Sequence, residues 1–161
     1  MTNGRDISQG KSLGDLGREA FWFLTHTLIA IVLLVGVIVA VSLNHPDPDS
    51  TTPKALTTFL AALIPMLGGA IIARVQRNDI APYTWISGLV IFSIVCVWVL
   101  DLPTGKGLCE NCGAVDKLWR TFFTFRHGSG LMGGDGLLIG TWLPLSTIGY
   151  AIGARLAHDP Y

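Results

Sequence analysis

The stretch "AFWFLTHTLIAIVLLVGVIVAVSL", residues 20–43, decides the fold. It contains no Asp, Glu, Lys or Arg in 24 residues. As a helix rising about 1.5 Å per residue it exceeds the roughly 30 Å hydrocarbon core of a bilayer, so it can span with some tilt. A secretory signal has an apolar region of roughly 7–15 residues before a small-residue cleavage site. This run is longer, and "AVSLN" offers a poor site. It reads as an uncleaved anchor.

Three further stretches repeat the pattern. They are "ALTTFLAALIPMLGGAIIA" (55–73), "YTWISGLVIFSIVCVWVL" (83–100) and "GLLIGTWLPLSTIGYAIGA", which opens a segment over 136–157. None alternates with period two, so strands are a poor fit. Pro65, Gly68, Gly69 and Pro144 would argue against helices in water, but neighbouring helices satisfy the freed backbone groups in lipid. We read Pro65 and Pro144 as kinks in packing helices. The whole chain agrees: 161 residues, 50% hydrophobic and 14% charged, where roughly 25% charged is usual for a soluble domain. Net charge is zero, which leaves no general basic surface for nucleic acid. The expected fold is all-α, a polytopic integral membrane protein forming one membrane domain. Four transmembrane helices cross, with a structured extracytosolic loop, 101–135, between the third and fourth.

Four spans put both ends on one side. Arg18, Arg74, Arg77 and Arg155 abut helix ends, whereas the first loop of the other side, "NHPDPDSTTPK", carries one Lys and two Asp. Charges close to the spans carry most weight in setting topology. The expected placement is therefore the cell (inner) membrane, with the 1–19 tail and the C-terminus cytosolic. Trp22, Trp85 and Trp98 fall near helix ends, where amphipathic rings favour the headgroup region, and Trp142 lies deeper, between helices.

The long loop holds "GLCENCGAVDKLWRTFFTFRHGSG" (107–130). On an oxidising side, Cys109 and Cys112 can close a structural staple. Alternatively Cys109, at a helix start that lowers a thiol pKa, makes the pair a redox couple. Zinc would need four ligands; Cys109, Cys112 and His127 supply three, and a second copy would have to complete the set. A single CxxC is a weak signal, so no metal or cofactor is assigned. Beyond it, Leu118, Phe122 and Phe125 share a helical face with Trp119 and Phe123 beside them, and Lys117, Arg120 and Arg126 are spread around the remainder. Two readings stand. In one the helix lies on the bilayer surface, with Lys117, Trp119, Arg120, Phe122, Phe123 and Arg126 at the interface. In the other it packs over the end of the bundle or against a partner.

Small residues recur every four positions at Gly136, Gly140 and Pro144, and again at Gly149, Gly153 and Ala157. Such stripes let helices approach closely, within a chain or between copies. Gly69 with Ala73 and Gly36 with Ala40 are shorter instances. A homo-oligomer is expected from the packing surface four short helices leave. His26 is the one deep ionisable group; without a second deep histidine for a haem, a hydrogen bond to a neighbouring helix is the favoured role. No glycine-rich phosphate motif occurs. The expected function is a small non-enzymatic subunit that senses, anchors or conducts for a larger multiprotein system in the bilayer. A thiol–disulfide exchanger using Cys109 and Cys112, and an oligomeric channel or transporter, are the alternatives.

Overall fold

The computed structural model describes residues 12–48, 50–102, 112–125 and 137–158, and these contain helices and turns with no strand. Helix α1 runs Leu13–Asn44, α2 Thr51–Val75, α3 Trp85–Asp101, α4 Ala114–Phe122 and α5 Leu143–His158. A 3-10 turn, Ala81–Tyr83, precedes α3, and a π-wound segment, Leu137–Trp142, precedes α5. Four helical stretches are long and apolar enough to cross a membrane: Leu13–Asn44, Thr51–Val75, Ala81–Asp101 and Leu137–His158.

Both of the first two helices start earlier than their apolar runs, and a polar cap extends the first. The Ser12 hydroxyl oxygen accepts from the Asp15 backbone N–H at 3.2 Å, so α1 begins at Leu13 and takes in part of the tail. Ser50 stands at the N-cap position of α2 with its hydroxyl donating to the Asp47 carbonyl at 2.9 Å, and Pro53 sits in the first turn, where a missing N–H costs nothing. Pro65 leaves the Ala61 carbonyl without its usual donor, yet α2 continues through it to Val75. Pro144 lacks its N–H where the fourth span passes from π to α winding, a place where the hydrogen-bond ladder is already changing register.

The fourth span is the hub. Of its most apolar window 61% is buried, against 22–28% for the other three. It packs along α2 for most of its length and against α3 and α1 on its other sides. Each outer helix offers it a narrow stripe. On α1 the stripe is His26, Ala30, Leu34, Val37 and Val41; on α2 it is Lys54, Thr57, Ala61, Pro65, Gly69 and Ala73. Facing outward are Leu24, Leu28, Val32, Val35 and Val39 of α1, Phe59, Leu67 and Ile71 of α2, and Ile94 and Val97 of α3. The inside thus mixes small and polar residues with a few aliphatic ones, while the outside is almost wholly large and apolar. Such an outer face suits a hydrocarbon solvent and would be an aggregation surface in water.

The two ends of the bundle differ. At one, the 3-10 turn packs on the C-terminal part of α5, and Ala81 joins Ala30, Ala73, Tyr150 and Ala154 in a cluster. We call this the turn end. At the other, α4 packs across the C-terminal end of α3 and the π-wound segment. Phe122 joins Val95 and Val99 there, while Leu137 and Trp142 close over Leu34 and Ala61. We call this the α4 end.

Candidate functional site

Polar groups tie the turn end together. His26 is 1% exposed, and its Nδ1 lies 2.6 Å from the Tyr150 hydroxyl. In one tautomer the phenol donates to Nδ1; in the other it accepts from it. The Trp22 ring, one turn earlier on α1, sits 6.0 Å from the imidazole. His26 Nε2 is buried and has no partner among the described residues. A second link joins α1 to α3: the Thr27 hydroxyl donates to the Phe23 carbonyl at 2.9 Å and lies 3.3 Å from Ser87 Oγ, which donates to the Thr84 carbonyl at 2.6 Å. At the rim, His158 Nε2 and Asp79 Oδ1 stand 3.0 Å apart. Tyr150 could not be singled out from sequence. It is an ordinary aromatic in an apolar run until the fold turns it toward α1.

Glycines explain how the hub fits. A Cβ on Gly149 would meet the Ala62 carbonyl, and one on Gly153 the Met66 carbonyl. Reciprocally, a Cβ on Gly69 would meet the Tyr150 carbonyl and lie 3.2 Å from the Ala154 nitrogen. The Gly149–Gly153 stripe is therefore occupied within the chain, by α2. Gly88 of α3 makes room for Thr147 and, at 3.1 Å, for the Pro144 carbonyl. A Cβ on Gly36 would meet nothing within 4 Å among the described residues. Gly136 lies outside the described residues.

The α4 end is built around one aromatic. Phe122 is 3% exposed and occupies the space left by the absent side chain of Gly140. Its ring lies 5.1 Å from that of Phe92, and its carbonyl accepts from the Thr141 hydroxyl at 2.9 Å. Lys117 Nζ donates to the carbonyls of Leu100 at 3.2 Å and Leu102 at 2.7 Å. It thereby caps α3, satisfying terminal carbonyls and opposing the helix dipole. Leu118 and Phe125 also turn toward the bundle. The sequence-derived interface set thus divides. Lys117 and Phe122 face inward, while Trp119, Arg120 and Phe123 are exposed, with Trp119 and Phe123 rings 5.0 Å apart. Arg126 lies outside the described residues.

Of the cysteine loop, Cys112 is half-buried and packs beside the Val95, Val99 and Phe122 cluster, as does Cys96. Cys109 and His127 lie outside the described residues, and with them the staple, redox and zinc readings. Among the described residues no three His, Cys, Asp or Glu side chains gather as a metal set. Trp142 donates its indole N–H to Thr58 Oγ1 at 2.8 Å, which fixes the deep tryptophan between helices. Lys54, expected in a loop, is only 2% exposed in the first turn of α2.

Beside Phe122, between α3 and the fourth span, lies an apolar groove of about 260 Å³ lined by Leu89, Phe92, Phe123, Pro144 and Ile148 among others. No family model, curated protein or solved structure matches this chain.

Proposed function

We propose that this chain is a non-enzymatic, multi-pass subunit of the cell membrane that serves a larger protein assembly through its α4 end. Both termini and the turn end lie in the cytosol, and α4 lies outside. The apolar outward faces of the four long helices support the membrane placement. Arg18, Arg74, Arg77 and Arg155 near the turn end support the orientation. Cys112, packed into an apolar cluster beside α4, supports a structural use of the cysteine pair over a catalytic one.

One observation carries the reading. Helix α4 is anchored on one side through Lys117, Leu118 and Phe122, and it leaves Val115, Trp119 and Phe123 exposed at i, i+4 and i+8 on the other. A short helix held this firmly is pre-organised, so a partner meets an aromatic stripe that has already been ordered. A photo-crosslinking residue at Val115 should capture one defined protein adduct in cells, and Trp119→Ala should abolish it. The same probe at Val97, on the outward face of α3, should give lipid adducts alone. Lipid adducts alone at both positions would refute the docking role.

A further inference from the structure

We propose that the groove between α3 and the fourth span holds one acyl chain of an anionic phospholipid, whose phosphate rests on Arg120. The proposal rests on the membrane placement inferred above and needs no protein partner, although Phe123 belongs both to the groove and to the exposed stripe of α4. Leu89 and Phe92 form one wall, Pro144 and Ile148 the other, and Phe122 and Phe123 of α4 close the end. Among the lining residues only Thr141 carries a side-chain polar group, and its hydroxyl is already committed to the Phe122 carbonyl. The groove therefore offers nothing to a headgroup and everything to a hydrocarbon chain. It opens between two helices that are each long and apolar enough to span, so hydrocarbon is the solvent at its mouth.

Charge distinguishes which lipid enters. Arg120 lies in the last turn of α4, three residues before its C-cap, Phe123, which lines the groove. It is exposed and has neither an ion pair nor a hydrogen bond among the described residues. Lys117, the other cation of α4, is committed to the α3 carbonyls. An exposed guanidinium with no partner among the described residues, on the helix whose C-terminal end closes the apolar slot, matches an acidic headgroup, since it binds phosphate through paired N–H donors. The cavity also coincides with the π-wound turn. Gly140 lies in that turn, and the ring of Phe122 fills the space its side chain would take. Single π turns within α-helices recur at functional sites, because they re-aim backbone and side chains at one level of a helix.

The test uses the full-length protein, purified in mild detergent and exchanged against a mixture of phosphatidylglycerol and phosphatidylcholine. Native mass spectrometry then counts retained lipids. Wild type should keep one phospholipid, with an anionic preference of about fivefold, the weight of one arginine at a charged lipid surface. Arg120→Gln should keep a lipid but lose the preference. Leu89→Trp, which fills the groove, should lose the lipid altogether, whereas Leu67→Trp, on the outward face of α2, should behave as wild type. Retention that is indifferent to both Arg120→Gln and Leu89→Trp would overturn the proposal, as would a lipid-free wild type. A chain recovered outside the membrane fraction would instead break the membrane placement, so the two failures are distinguishable.

Discussion

The two halves of the fourth span use glycine in opposite ways. In the C-terminal half, Gly149 and Gly153 lie against the backbone carbonyls of Ala62 and Met66. In the N-terminal half, Gly140 lies against the ring of Phe122. A carbonyl in a helix cannot step aside without breaking the helix, but a phenylalanine ring can turn. The first half is therefore a rigid seam, latched further by the hydrogen bond between His26 and Tyr150. The second is a joint made by side chains, where α4 docks and a groove remains beside it. Sequence spacing alone treats all these glycines alike. What each one meets decides whether it sets the stability of the bundle or the shape of a site.

The sharpest way to break the contrast is at Gly153. Gly153→Val forces a branched side chain onto the Met66 carbonyl, and the resulting overpacking should cost about 3 kcal/mol or more. Unfolding of the purified protein in a detergent titration would measure it, and loss of accumulation in membranes is the expected extreme. Phe122→Ala comes next. It empties the centre of the α4 joint and should cost about 3 kcal/mol, with α4 becoming protease-sensitive while the four spans stay folded. Tyr150→Phe should cost about 1 kcal/mol, because it leaves His26 Nδ1 unpaired beside an Nε2 already without a described partner. Adding His26→Leu should recover part of that loss, a coupling that a double-mutant cycle reads directly. Smallest is Lys117→Met, which keeps the stem and removes the cap; a loss of roughly 0.5–1 kcal/mol, confined to the α3–α4 junction, should appear as faster amide exchange there.

The spans were legible because hydropathy depends on composition and length alone, and lipid imposes both on any crossing helix. Their starts were less so. The Ser12 cap carries α1 beyond its apolar run, and α2 begins at Thr51 with Pro53 in its first turn; such starts are local events that a hydropathy window averages away. The site was harder still. His26 stood out as a deep polar residue, but Tyr150 lies 124 positions away and only the packing of α5 on α1 brings the two together. Lys117 resembled a headgroup ligand in one dimension, yet the end of α3 presents it with two carbonyls at shorter range. The stripe at Gly149 and Gly153 announced close approach without naming the partner. That partner is α2, so the stripe no longer argues for a second copy of the chain.

The two ends of the bundle should lie on opposite sides of the membrane, and thiol accessibility tests this directly. The three native cysteines would be replaced by Ser, and a single Cys placed at Val115, on the exposed stripe of α4, or at Arg77, beside the 3-10 turn. A membrane-impermeant maleimide applied to intact cells should label Val115→Cys, and Arg77→Cys only after lysis. Labelling of Arg77→Cys alone in intact cells, or of both positions equally, would contradict a bundle that crosses the membrane with α4 outside.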